Sequence, residues 1–84
     1  MIFSREIRAG RALLGWSQLE LAEAASVGVA TVRRLEAAGT EIRGSADTLW
    51  KIQQALEAAG IEFIPEEEGR GAGVRLKQAR DSKR

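Results

Sequence analysis

The chain has 84 residues, 44% of them hydrophobic, and a net charge of +1, a composition that fits one small globular domain. It contains no cysteine and no histidine, which excludes a disulfide framework and removes the commonest general base and the commonest metal ligand. The N-terminus has no long apolar run, so neither a signal peptide nor a membrane span is expected and the protein is predicted to be cytoplasmic.

The first helix is predicted to start at Ser4, its N-cap, and to run to about Leu14. Ile7, Leu14 and the aliphatic stem of Arg11 recur at helical spacing and form its inner side. Gly15 ends the helix, because glycine readily adopts the left-handed conformation found at helix C-termini.

A second helix, over residues 18–25, has a complete start signal. Ser17 stands at the N-cap position and Glu20 follows three residues later, which is the spacing of a capping box. Trp16 before the cap and Leu21 after it are spaced to pack on each other as a hydrophobic staple.

A third helix is predicted over residues 29–37, and its two sides differ in character. At about 100° per residue, the inward side comprises Val32, Leu35 and Glu36, and the outward side comprises Ala30, Arg34 and Ala37, with Thr31 and Arg33 on the flanks. Small residues around one arginine let a helix approach base edges in the DNA major groove, where arginine can donate two hydrogen bonds to guanine. The alternative is that the two arginines are only solvated charges; the helix–turn–helix spacing around them favours the first interpretation.

Glu36 falls on the inward side of the third helix, where an unpaired carboxylate would be costly. Arg11 on the first helix is therefore predicted to be its partner. Loss of one member of such a buried pair costs about 3–5 kcal/mol, so the pair is predicted to hold the third helix at its angle. The alternative is that Glu36 is an isolated, exposed helix residue.

A fourth helix is predicted over residues 46–59, with Ser45 as its cap and Gly60 at its end. Its inner stripe consists of Ala46, Leu49, Ile52, Leu56 and Ala59. After it, residues 61–64 and 74–77 read as two short strands joined by a nine-residue loop, 65–73, so that a hairpin is the simplest connection but its register is poorly fixed. Residues 78–84 are polar and are expected to be disordered.

One long pattern runs through the second and third helices: Ser17-Gln18, Leu21-Ala22, Val27, Thr31-Val32 and Leu35-Glu36, followed by Gly39. With this pattern, residues 5–59 resemble the Cro/C1-type (XRE) helix-turn-helix family of phage repressors and bacterial regulators. The resemblance implies a mainly α, lambda-repressor-like DNA-binding domain of four to five helices over residues 1–60. A short C-terminal β-hairpin, or a pair of dimerising strands, would follow over residues 61–77.

The resemblance also implies roles for particular residues. Base contacts would come from Val29, Ala30 and Arg34, and phosphate contacts from Gln18, Thr40 and Arg43. Thr31 and Arg33, on the flanks of the outward side of the third helix, are predicted to contact phosphates as well. The pairing of Glu36 with Arg11 recurs in the family as well. Two positions depart from the family pattern: Ser26 stands where the turn usually has glycine, at a cost of roughly 1 kcal/mol, and Gly28 stands where the third helix usually has a Ser or Thr cap.

The predicted function is that of a sequence-specific transcriptional regulator, a repressor or autoregulator, which binds a palindromic operator as a homodimer. Residues 1–43 carry six arginines against five glutamates, whereas residues 44–77 carry four basic and six acidic residues, so a DNA-facing patch belongs to the first half. Nothing in the sequence indicates an enzyme, a metal or another cofactor.

The dimer interface is predicted to contain Trp50, Ile61, Phe63, Val74 and Leu76. The alternative is that Trp50 and Phe63 fill the core of a single copy. A second candidate function is an antitoxin or anti-activator whose main partner is another protein. Glu66, Glu67 and Glu68 could then face a basic partner, although the explanation that they are solvated loop charges is favoured.

Overall fold

The computed structural model describes residues 4–37 and 46–79 as four helices followed by an antiparallel hairpin. The elements are α1 (Ser4–Leu14), α2 (Gln18–Ala25), α3 (Val29–Glu36), α4 (Ala46–Ala58), β1 (Ile61–Ile64) and β2 (Gly73–Leu76). The predicted mainly α fold with a C-terminal hairpin is therefore confirmed. The predicted cap Ser45 and the predicted phosphate contacts Thr40 and Arg43 lie outside the described residues, as do the last residues of the tail, 80–84.

The same closing motif ends α1 and α2. In each, one residue adopts the left-handed conformation, Gly15 with φ of 71° and Ser26 with φ of 60°. The residue after it donates its N–H to the carbonyl five positions back, Trp16 to Arg11 and Val27 to Ala22, both at 3.0 Å. This motif directs the side chains of Trp16 and Val27 back onto the core, where both are half-buried.

The capping box at the start of α2 is confirmed. The backbone N–H of Glu20 donates to Ser17 Oγ at 3.1 Å, and the backbone N–H of Ser17 donates to Glu20 Oε1 at 2.7 Å. Trp16 and Leu21, the two residues of the predicted staple, belong to the same apolar cluster. The box fixes the residue at which α2 begins.

The core is a single cluster to which all four helices and the first strand contribute. Its buried apolar members are Ile7, Leu21, Ala22, Ala25, Val32, Leu35, Leu49, Ile52, Leu56 and Ile61. In α4 the predicted inner stripe is confirmed for its three large residues and is wrong for Ala46 and Ala59, which are exposed. Both alanines lie at the ends of the helix, where the packed elements no longer cover them, and Gly60, with φ of 116°, already turns the chain into β1.

The hairpin packs one face against α1 and α4. Ile61 pairs with Leu76 and Phe63 with Val74, and all four contribute to the core cluster. On the other face, Arg75 contacts Glu62 through two hydrogen bonds of 3.0 and 3.3 Å. The Arg75 guanidinium lowers the pKa of the Glu62 carboxyl below its usual value.

This packing corrects the predicted dimer interface. Ile61 has no exposed surface, so its side chain has nothing to offer a partner, and its assignment to the interface is wrong. Phe63 is half-buried against the core, in line with the alternative for that residue. Trp50 is 61% exposed, so the alternative that it fills the core is wrong.

The segment between the strands is not a structureless loop. Glu67 and Arg70 exchange backbone hydrogen bonds of 3.1 and 2.9 Å across a two-residue turn. The turn residues, Glu68 with φ of 53° and Gly69 with φ of 79°, both have the left-handed conformation typical of a type I′ turn. The pairing of Glu67 with Arg70 has the same register as the pairing of Ile61 with Leu76, so the expectation of a poorly fixed register is wrong.

The two closing motifs predict opposite effects of exchanging serine and glycine. Ser26→Gly should raise the free energy of unfolding by about 0.5–1 kcal/mol, because glycine adopts a positive φ without a steric cost. Gly15→Ser should lower it by about 1 kcal/mol, since no atom within 4 Å would meet the new Cβ and only the backbone cost remains. Urea unfolding measures the free energy of unfolding of both variants. A change of the same sign in both would contradict the explanation.

Candidate nucleic-acid interface

The exposed side of α3 is narrow and basic. Ala30, Arg33 and Arg34 are exposed, as is Ala37 just after the helix, whereas Val32, Leu35 and Glu36 are buried. Thr31 and Val29 are half-buried, and Val29 packs against the core cluster. The structure thus gives α3 an outward surface of short side chains from which two arginines project.

Helix α3 begins without a side-chain cap. Gly28 occupies the N-cap position with extended backbone (φ −74°, ψ 149°) and makes no side-chain hydrogen bond. Its carbonyl accepts the N–H groups of Thr31 and Val32 at 3.0 and 3.3 Å. With no bulky or charged side chain at this position, nothing at residue 28 separates the first turn of α3 from a ligand.

The end of α3 is fixed by the Glu36 carboxylate, which is only 4% exposed. Arg11 donates from Nε to Oε2 at 2.8 Å and from Nη2 to Oε1 at 3.0 Å, a two-point contact between planar groups. Gln18 donates from Nε2 to Oε1 at 2.9 Å. The structure therefore brings together the two residues predicted to pair and adds Gln18, which the sequence indicated only as a phosphate contact.

Two further arginine contacts extend this arrangement, which we call the Glu36 cluster: Glu36, Arg11, Gln18, Arg8 and the carbonyl of Trp16. Arg11 donates from Nη1 to the Trp16 carbonyl at 3.0 Å, and Arg8 donates from Nη1 to the backbone carbonyl of Glu36. The hydrogen bonds to Glu36 raise the pKa of Arg11 above its usual value. The cluster joins α1, the turn after it, the start of α2 and the end of α3.

The contribution of Arg8 was not predicted from the sequence. A signal for it was present, because Arg8 lies three residues before Arg11 and therefore on the same side of α1. This spacing did not indicate the acceptor, because Arg8 donates to a backbone carbonyl and a side-chain pattern does not reveal such a partner.

Arg33 and Arg34 differ from the arginines of the cluster. Among residues 4–37 and 46–79, the side chain of neither has a hydrogen-bond or ion-pair partner, and both residues are exposed. They lie in the last turn of α3, where the helix dipole favours positive charge. Their donors are therefore available to a ligand that approaches the outward side of α3.

Comparison with known proteins agrees with this geometry. The sequence model of the helix-turn-helix family matches residues 7–62, which is most of the chain and runs from the first half of α1 through α4 to the start of β1. No curated protein matches the chain. Within the described residues, no helix has the length and apolar character needed to cross a bilayer.

Removal of Arg11 should strongly destabilise the fold. Arg11→Ala leaves the buried Glu36 carboxylate with one neutral donor, so the free energy of unfolding should fall by about 3 kcal/mol. The matched control is Arg75→Ala, which breaks the exposed pair with Glu62 and should change stability little. Urea unfolding of both variants measures the two free energies of unfolding. Equal decreases would show that the burial of Glu36 does not explain how much its pair with Arg11 stabilises the fold.

Proposed function

Because the chain belongs to the Cro/C1-type helix-turn-helix family, we propose that it is a sequence-specific transcriptional regulator that inserts α3 into the DNA major groove. The observation that carries the proposal is the outward side of α3, with its short side chains and two arginines whose side chains have no partner within the described part of the chain. A helix with this surface fits a groove about 12 Å wide. The Glu36 cluster supports the proposal because it joins α3 to α1 and to the start of α2 by hydrogen bonds.

Base readout in this proposal depends mainly on Arg34. Its guanidinium donates two hydrogen bonds to O6 and N7 of a guanine, a contact worth about 1–3 kcal/mol against a wrong base. Ala30, exposed at the start of α3, contacts a thymine methyl group. Val29 contributes only its exposed part, since the rest of its side chain packs on the core.

The proposal also includes contacts with the phosphates of the DNA backbone. Arg33 and Thr31 flank the base-reading side of α3, and Gln18 stands at the first position of α2. The bond to Glu36 uses one N–H of the Gln18 amide and leaves the second for a phosphate oxygen. Thr40 and Arg43 complete the proposed set of phosphate contacts.

The proposed active form is a cytoplasmic homodimer that represses or autoregulates transcription from a palindromic operator. Two recognition helices would then read half-sites about one helical turn apart. Trp50 on α4 supports self-association, since a Trp side chain 61% exposed is a characteristic anchor of protein interfaces. The exposed parts of Phe63, Val74 and Leu76 are the proposed contribution of the hairpin, residues 61–77.

Adjacent arginines provide a matched test of the base and phosphate assignments. Arg34→Ala should relax selectivity at one base pair by about 1–3 kcal/mol, because a bidentate guanine contact is lost. Arg33→Ala removes the same charge but should weaken binding to all sequences alike and reduce the salt slope by about 1. Selection of bound fragments from random DNA, followed by titrations at several salt concentrations, measures both effects. If selectivity is the same in Arg34→Ala and wild type, the assignment of Arg34 is wrong.

Self-association should depend on Trp50. Trp50→Ser should weaken the dimer by about 30-fold or more, the loss expected for an interface anchor worth 2 kcal/mol, and should leave stability nearly unchanged because the side chain is outside the core. Leu13→Ser, which alters another exposed apolar residue, is the control and should leave the dimer intact. Sedimentation velocity over a range of concentrations measures both; an unchanged dissociation constant in Trp50→Ser contradicts the proposed interface.

A further inference from the structure

Two arginines of α1, one turn apart, contact the same residue of α3 in different ways. Arg11 contacts the Glu36 carboxylate, so its positive charge is cancelled within the fold. Arg8 contacts the backbone carbonyl of Glu36, which carries no net charge. Among residues 4–37 and 46–79, no carboxylate forms an ion pair with Arg8. The charge of Arg8 is therefore held in place but not neutralised.

The position of this charge is defined by the bond that holds it. The acceptor is the backbone carbonyl of Glu36, the last residue of α3. The next residue, Ala37, is exposed, and Gln18 contacts the side chain of Glu36. Arg8 itself is exposed. A cation from α1 thus lies at the C-terminal end of α3.

The chemistry of the guanidinium favours a second ligand. Arginine has five N–H donors in a rigid planar fork, and the carbonyl of Glu36 takes a donor from Nη1 only. A charge fixed in orientation, with unused donors beside a groove-binding helix, has the properties that a phosphate oxygen requires. Capping the C-terminus of α3 accounts for one donor and favours the positive charge, but it leaves the other donors of Arg8 without a partner among residues 4–37 and 46–79.

We infer that Arg8 is a phosphate-contacting residue, which binds a backbone phosphate at the edge of the major groove while it caps α3. The inference rests on the proposed function, since it assumes that α3 enters the groove. In this arrangement Arg8 ties the position of the DNA backbone to the end of the recognition helix, so it positions α3 and does not read bases.

The test compares Arg8→Gln and Arg8→Lys with wild type, using a fluorescein-labelled 20-base-pair duplex of mixed sequence. Arg8→Gln should bind about eightfold more weakly at 0.1 M salt and show a salt slope smaller by about 1, as expected for loss of one phosphate contact. Arg8→Lys should retain most of the slope, because lysine also binds phosphate as a point charge. Arg70→Gln, an equal charge change at the hairpin turn, is the control and should leave the slope unchanged.

The outcomes separate this inference from the function on which it rests. If wild type shows no salt-dependent DNA binding, the proposed function fails. If wild type binds and Arg8→Gln keeps the wild-type slope while its melting temperature falls, Arg8 is only a helix cap and the inference is overturned. Equal slope changes in Arg8→Gln and Arg70→Gln would also overturn it, because net charge alone would then explain the effect.

Discussion

The Glu36 carboxylate is the point at which the helices are fixed to one another. A buried carboxylate is tolerated only when its oxygens are satisfied, and here the donors come from α1 and from the start of α2. Helix α3 can therefore keep Glu36 inside only in the orientation that these donors accept. That orientation turns Ala30 and the two adjacent arginines outward. The placement of the Glu36 charge thus determines which side of α3 is exposed.

Much of the fold follows from local chemistry that the sequence displays. The capping box at Ser17 and the glycine at position 15 predict the helix limits, and the inward position of Glu36 predicts a basic partner. The hairpin register was not predictable in the same way. It depends on a turn whose first left-handed residue is Glu68, a residue type that gives no turn signal of its own.

The remaining differences arise from packing between elements. Alternation in β1 indicates that Ile61 and Phe63 share a face, but it does not indicate whether that face is covered by the same chain or by a partner. The answer depends on how α1 and α4 meet the hairpin, which is a property of the assembled fold. The contact of Arg8 with the backbone carbonyl of Glu36 also could not be predicted, since only the packing of α1 against α3 brings the two groups together.

The most direct test of the account is to observe which surface meets DNA. An NMR titration of the labelled protein with duplex DNA should shift the amide signals of Ala30 and Arg34 and the side-chain amide of Gln18, while signals of the hairpin stay in place. Shifts confined to the hairpin, or no shifts at low salt, would contradict the claim that the Glu36 cluster presents α3 to the major groove.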